Sequence, residues 1–254
     1  MVKLSKRLQM IADRVPKGSK VADIGSDHAL LPTYLAQQGI IVAAVAGEVN
    51  PGPFEAAQRQ VLESGLSKII QVRSGDGLAV IEPGEVNVIT IAGMGGSLMA
   101  SILEAGKSKL SGVQHLILQP NVGEDHVRRW LLSNGWKLES EAILEEDGKI
   151  YEILTAVAAS KDELATLDAL YEERTLPGGC TVSKERLQQM GPYLMQEAPE
   201  VWFVKWESEL KKLAMIVSQL KLSTAEASII KVEQVSQEMR EIKEVLACLQ
   251  KVKP

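Results

Sequence analysis

Three carboxylates stand at or just after three short apolar runs: Asp23 within 21–24, Glu48 after 40–46, and Asp76 after 69–72. An acid at the carboxyl end of a strand can accept hydrogen bonds from ribose hydroxyls or from an exocyclic amine. The first lies in Asp23-Ile24-Gly25-Ser26-Asp27-His28-Ala29-Leu30, where Gly25 lets a ligand come close to the backbone. The nicotinamide fingerprint G-x-G-x-x-G is absent, because Asp27 occupies its second glycine position. An acid there would repel a pyrophosphate and suits a ligand bearing an amine and a sulfonium cation. The second acid lies in Gly47-Glu48-Val49-Asn50, placed to take both ribose hydroxyls of an adenosyl group. The third lies in Arg73-Ser74-Gly75-Asp76-Gly77-Leu78. There Asp76 could accept from an adenine amine, with an Asp-Gly turn as the plainer reading. Three acids after three successive strands are more specific together than apart. The segment Ile91-Ala92-Gly93-Met94-Gly95-Gly96 adds a backbone able to sit against a ligand, and Gln119-Pro120-Asn121 adds a further polar group. The pattern disfavours NAD and points to S-adenosylmethionine.

The elements needed to place these residues are legible as alternating runs. Helices are expected over 4–12, 32–38, 51–63, 97–105 and 124–133, and strands over 21–24, 40–46, 69–72, 86–91 and 116–118. Strand and helix in alternation argue for a parallel sheet covered on both faces. The pattern then changes to two strands, 136–144 and 150–157, joined by Glu-Glu-Asp-Gly, which reads as an antiparallel hairpin. Residues 161–254 hold no convincing strand. Two stretches there keep a 4-3 spacing: Phe203, Trp206, Leu210, Leu213, Val217, Leu220, and Val232, Val235, Met239, Ile242, Leu246, Leu249. Ser223 and Glu226 fit a capping box that restarts the second helix. The short connection makes the helices antiparallel neighbours in one chain, so a monomer is expected, with a dimeric coiled coil as the competing arrangement. The fold class is therefore α/β, a Rossmann-like sheet over 1–160, followed by a helical coiled-coil domain over 161–254.

Composition narrows the class. The chain has 254 residues, 45% apolar and 24% charged, ordinary for a globular protein. No signal peptide or membrane-length apolar window is present, so a soluble cytoplasmic location is expected. Cys180 and Cys248 are far apart in sequence and read as reduced cysteines, and His28, His115 and His126 show no metal-ligand spacing. No metal is expected. The net charge of −5 counts mildly against a polyanionic partner. Residues 1–20 nevertheless carry six basic side chains, Lys3, Lys6, Arg7, Arg14, Lys17 and Lys20, against the one acid Asp13. Such a patch could steer a polyanion or could be an ordinary solvated helix face.

Taken in order, these motifs resemble the class I methyltransferases. The match is closer to the bacterial tRNA (adenine-N1)-methyltransferase family acting on adenine 22 of the D-arm. It is carried by Asp-Ile-Gly-Ser-Asp-His with Leu-Pro shortly after, Asn-Pro-Gly-Pro at 50–53, Ser-Gly-Asp-Gly-Leu at 74–78, Ile-Ala-Gly-Met-Gly-Gly at 91–96 and Gln-Pro-Asn at 119–121. The resemblance spans the whole chain. It implies S-adenosyl-L-methionine as cofactor and tRNA as partner. Around the cofactor it implies Asp23, Gly25, Ser26, His28 and Leu30 from the first loop, and Glu48, Val49 and Asn50 from the second. Asp76, Gly77 and Leu78 would join from the third, and Ala92, Gly93, Met94 and Gly95 from the fourth. Asp27 would face the target base. Lys6, Arg7, Arg14 and Asn121 would contact the tRNA, with Lys107, Lys109, Arg128 and Arg129 as further phosphate holders.

One departure bears on the chemistry. Many methyltransferases of exocyclic amines carry Asn/Asp-Pro-Pro-Tyr/Phe after the fourth strand, and this chain has Ala92-Gly93-Met94-Gly95. The site is unsuited to clamping an amine by stacking. Ring N1 of adenine keeps an in-plane lone pair and needs no prior deprotonation, so placement would supply most of the rate. Asp27 could stabilise the cationic product ring, or could cap the following helix. His28 could orient cofactor or base, or simply pack. Two other classes remain open: a methyltransferase for a small molecule or protein with a dimerising coiled coil, and a non-catalytic RNA-binding module.

Overall fold

Strand and helix alternate through the first two-thirds of the chain, as the apolar runs require. The structure, a computed structural model, describes residues 2–223 and 225–251. In order come α1 (Lys6–Ala12), β1 (Ser19–Ile24), α2 (Leu30–Gln37), β2 (Ile41–Glu48), α3 (Pro51–Glu63), β3 (Ile70–Ser74) and β4 (Val88–Gly95). Then follow α4 (Gly96–Ala105), β5 (His115–Val122), α5 (Glu124–Ser133), β6 (Trp136–Glu146), β7 (Lys149–Ala158) and α6 (Lys161–Leu164). The seven strands form one sheet in the order β3-β2-β1-β4-β5-β7-β6. β1 to β5 run parallel, and β7 pairs antiparallel with both β5 and β6.

The apolar runs of β1 and β4 are buried from end to end: Val21, Ala22 and Ile24 beside Val88, Ile89 and Ile91. That continuity is the mark of a parallel sheet covered on both faces. Ile11 and Ala12 of α1 join Leu31 and Leu35 of α2 and Val61 of α3 in the same core. Each large side chain buried this way contributes about 1.5–3 kcal/mol. Strand order reverses between β1 and β4, which makes their carboxyl ends the place where an open α/β sheet leaves a crevice. The β6–β7 hairpin turns on Asp147 and Gly148, both left-handed with φ of 52° and 71°. Asp-Gly is the favoured pair for such a two-residue turn.

The α5 helix carries a correction. Arg128 was expected at tRNA phosphates, yet it is fully buried, 2.6 Å from Glu141 on β6 and 2.5 Å from Glu152 on β7. Its amphipathic helix turns it inward, where two carboxylates hold it. Arg129 is paired with Asp125 one turn earlier, and Lys109 with Glu82 at 2.8 Å.

Contacts divide the chain into two compact units, Met1–Leu167 and Asp168–Pro254. The α6 turn belongs to the first. It carries a full capping box of Ser160 and Glu163, and Glu163 also pairs with Lys137 of β6 at 2.7 Å.

In the second unit, β8 (Arg174–Thr175) and β9 (Thr181–Val182) make a small antiparallel pair. The absence of strands expected after residue 160 is corrected by it; two-residue strands carry no readable alternation. Then come α7 (Lys184–Met190), α8 (Pro192–Glu197), α9 (Glu200–Leu220) and α10 (Glu226–Gln250). The last two pack against each other as a hairpin. Near its base Phe203, Trp206, Leu213, Val235, Ile242 and Leu246 of the expected seam are buried. Trp202, off the seam, is also buried and donates its indole N–H to the Met190 carbonyl at 2.9 Å. Towards the tip, Met215, Ile216, Ile229 and Ile230 are exposed. The expected Ser223–Glu226 capping box does not form. The N-cap of α10 is Ala225, and the Ser223 hydroxyl instead accepts from the Ala225 N–H at 3.2 Å. Cys180 and Cys248, distant in sequence, come together, the Cys180 N–H donating to the Cys248 sulfur at 3.3 Å.

Candidate functional site

The carboxyl ends of β1, β2, β3, β4 and β5 bring most of the expected residues to one edge of the sheet. Asp23 is buried near the end of β1, opposite Thr90 of β4 in register. Its two carboxylate oxygens accept from hydroxyls, Ser26 at 2.5 Å and Thr90 at 2.6 Å. Burial pushes the Asp23 carboxyl above the usual carboxylate range; both hydroxyls and the charge of Arg7 oppose the shift, and Glu48 adds to it. An anion held only by neutral hydroxyls in a buried position favours a cation as neighbour.

Glu48 closes β2 and is also buried. Its Oε1 accepts the backbone N–H of Asp27 at 2.8 Å, while the Gly47 carbonyl accepts from Gly25 and Ser26 at 2.9 and 3.1 Å. The loop after β1 is thereby tied to the end of β2. Within it, Gly25 is left-handed at φ 70°, and Asp27, His28 and Ala29 follow at 32°, 62° and 52°. Left-handed geometry costs a non-glycine residue about 1–2 kcal/mol. Strain of this kind persists where the surroundings enforce it, most often at ligand sites. The Asp27 side chain is 81% exposed and sits 3.6 Å from the His28 ring, itself 56% exposed. The alternative that Asp27 caps α2 is not realised: the N-cap is Ala29, with no side-chain bond.

Across the strand reversal, the β4 loop is built around a bulge. Ala92 pairs with Gln119 and Met94 with Pro120, leaving Gly93 out of the ladder at φ 79°. Side chains of β5 take up its backbone groups. Gln119 Oε1 accepts from the Gly93 N–H at 3.2 Å, and Asn121 Nδ2 donates to the Gly93 carbonyl at 2.8 Å. Met94 arches over the β1 loop, so that a Cβ added at Gly25 would lie 2.3 Å from its methyl carbon.

Beyond β2, Asp76 is exposed at the start of a short 3-10 turn and makes no capping bond there. A cleft of about 410 Å3 adjoins it, lined by Gly77, Leu78, Leu98, Ile102 and Lys109 among others. Val49, next to Glu48, is 58% exposed, and Asn50 is exposed beside it. Leu30, the first residue of α2, is half-buried.

Of the expected tRNA contacts, Lys6 is exposed and Asn121 is committed to Gly93. Arg7 is half-buried, its Nη1 donating to Gln119 Oε1 at 2.5 Å. Arg14 turns back on its own helix, donating to the Met10 carbonyl at 2.6 Å, and desolvation lowers its pKa against the pull of Asp13. Thr90 and the bridging role of Gln119 were not foreseen. A single polar residue inside the apolar run of β4 was the available signal for Thr90, since buried polar groups need partners. Among the described residues, no three His, Cys, Asp or Glu gather as metal ligands would, and no helix is long and apolar enough to cross a membrane.

The donor set fits an adenosyl cofactor with a cationic centre: a buried acid without a bonded cation, a strand-end acid beside an exposed aliphatic residue, and a third acid at a cleft.

Known proteins are similar to this chain in sequence and in fold. A family model described as tRNA (adenine(22)-N(1))-methyltransferase matches residues 21–244. The Bacillus subtilis (strain 168) protein of that name is 46% identical over 246 residues, 96% of this chain and 98% of that protein. The crystal structure of the B. subtilis M1A22 tRNA methyltransferase TrmK matches with a TM-score of 0.85 at 44% identity, over 97% of this chain and 100% of that one. The Streptococcus pneumoniae protein Sp1610 in complex with S-adenosyl-L-methionine matches with a TM-score of 0.79 at 39% identity, over 96% and 100%.

Proposed function

The chain belongs to the tRNA (adenine(22)-N(1))-methyltransferase family, and we propose on that premise that it transfers the methyl group of S-adenosylmethionine to N1 of adenine 22 in tRNA. The observation that carries this reading is the set of three carboxylates at the carboxyl ends of β1, β2 and β3, along the same sheet edge as the bulged glycine loop of β4. When bound, the cofactor supplies an electrophilic methyl group on a sulfonium sulfur. Asp23, with Gly25, Ser26, His28 and Leu30 around it, would hold the amino-acid end by its ammonium group. Glu48 accepts from the ribose hydroxyls, with Val49 and Asn50 beside the adenosyl group. Asp76, Gly77 and Leu78 take the adenine, and the Ala92–Gly95 loop closes over the other side.

Asp27 faces the target base. N1 attacks with its in-plane lone pair, so no residue has to remove a proton first. The ring would become cationic as the N1–methyl bond forms and the methyl–sulfur bond breaks, the sulfur leaving as a neutral thioether. A carboxylate accepting from the adenine amine stabilises that charge where it develops. The exposed carboxylate of Asp27, on a strained loop whose Asp27 backbone N–H donates to Glu48, is suited to this. The base must leave its stack to reach the crevice. Lys6 and the helical arm within 161–254 hold the rest of the tRNA, while 1–160 holds the cofactor. The protein acts as a cytoplasmic monomer without a metal.

The test is transfer of labelled methyl from S-adenosylmethionine to an unmodified tRNA transcript, with nucleoside analysis of the product. Label in 1-methyladenosine, lost when adenine 22 of the transcript is replaced by guanine, is the expected result. Cofactor binding with no label in tRNA would overturn the reading and turn the search to protein or small-molecule acceptors.

A further inference from the structure

Arg7 is occupied in a way that a phosphate-gripping residue is not. The bulge at Gly93 leaves one backbone N–H and one carbonyl without ladder partners, and such groups must find others. Gln119 and Asn121 provide them, and the two side-chain amides also bind each other, Gln119 Nε2 donating to Asn121 Oδ1 at 3.1 Å. Gln119 Nε2 further donates to the Pro120 carbonyl at 2.9 Å. Its Oε1 therefore has to face Gly93. Arg7 fixes that choice, because its guanidinium donates a charge-assisted bond to the same oxygen at 2.5 Å.

Arg7 is itself fixed from three sides. Its guanidinium lies over the Tyr151 ring, 5.4 Å from the centroid. Its backbone N–H and that of Lys6 donate to the Glu146 carboxylate at 3.1 and 2.6 Å. Desolvation pushes that carboxyl up, but these N–H groups, the Ser5 hydroxyl and the charge of Arg7 together outweigh it and hold it below the usual range. Glu146 and Tyr151 both come from the β6–β7 hairpin.

We propose that Arg7 is a positioning residue for the cofactor loop: anchored by the antiparallel hairpin, it orients Gln119, which holds the Gly93 bulge in shape. The hairpin thus has a use at the site that it does not line. This assignment rests on the methyltransferase reading of that loop, and it replaces the expectation that Arg7 grips tRNA phosphate.

A double-mutant cycle tests it, with Arg7→Ala, Gln119→Ala and the pair, reading S-adenosylmethionine affinity by calorimetry and thermal melting for folding. If Arg7 acts through Gln119, each single change weakens cofactor binding by about tenfold and the pair is no worse than either alone. Arg7→Lys keeps a point charge but loses the planar fork. It should weaken cofactor binding nearly as much as Arg7→Ala, with the salt dependence of tRNA binding unchanged. Additive losses would overturn the proposal. So would cofactor affinity unchanged in Arg7→Ala together with a tRNA salt slope reduced by about one. Wild-type protein that binds the cofactor but methylates no tRNA would sink the functional reading alone, since the cycle is read on cofactor affinity.

Discussion

Two of the regions that bury charge in this molecule do so in opposite ways. Behind the sheet, Arg128 meets Glu141 and Glu152 at 2.6 and 2.5 Å, with all three side chains removed from solvent. At the crevice, Asp23 is buried with hydroxyls as its partners and its carboxyl pushed above the usual range by desolvation. The first cluster brings its own counter-charges and is complete as it stands. The second is an anion held ready, and a cationic ligand would relieve it. A buried charge is a structural part where it is paired and a candidate site where it is not.

The largest effect should come from breaking the paired cluster. Arg128→Ala leaves two buried carboxylates facing each other and is expected to destabilise the fold by about 3–5 kcal/mol. Denaturant unfolding measures it, and cofactor affinity of the folded fraction should not change. A small loss of stability would mean that water reaches the cluster, and the contrast would weaken. Asp23→Asn should behave in reverse: stability holds or rises, because a desolvated charge is removed, while S-adenosylmethionine affinity falls by roughly tenfold or more. Calorimetry and melting on the same sample separate the two.

The pH dependence sharpens the point. A carboxyl raised in the folded state contributes stability fully below its unfolded pKa, and that contribution is lost as pH rises through the higher folded value. Cofactor affinity should rise over the same window, because a cation pulls the proton off Asp23. Calorimetry in two buffers of different ionisation enthalpy should then show proton release on binding within that window; no release would place the cation elsewhere. The smallest effect is expected at Cys180. Burial, and then the neighbouring Cys248 thiol, push its pKa up to about 12, so its thiolate is scarce at neutral pH. Alkylation at pH 8 should be far slower than for a free cysteine, and Cys180→Ser should leave cofactor affinity intact.

Much of this was legible in the sequence, for local reasons. Apolar runs ending in Asp23, Glu48 and Asp76 show strands and their acids together, and Asp147-Gly148 names its own turn. Pro51 marks the start of α3 at its first helical position, and Gly135 stands just past the end of α5. What stayed hidden depends on partners distant in the chain. Arg128 and Arg129 are adjacent and alike in sequence, yet only the helix phase against β6 and β7 makes one structural and leaves the other at the surface. Arg7 reads as one basic residue among six, because nothing in 1–20 announces that Gln119 waits for it. The Ser223–Glu226 pattern fits a capping box, but α10 starts two residues too late for it, with Ala225 rather than Ser223 as N-cap, at a spacing that the sequence pattern alone does not decide.

The most direct test of the division of labour among the acids is single-turnover methyl transfer to tRNA with adenine 22, at saturating S-adenosylmethionine, for wild type and Asp27→Asn. Asn tolerates the left-handed backbone at this position, so the loop is kept and only the charge is lost. The account predicts a rate about a hundredfold lower with cofactor affinity unchanged. An equal rate, or a loss explained wholly by weaker cofactor binding, would contradict it.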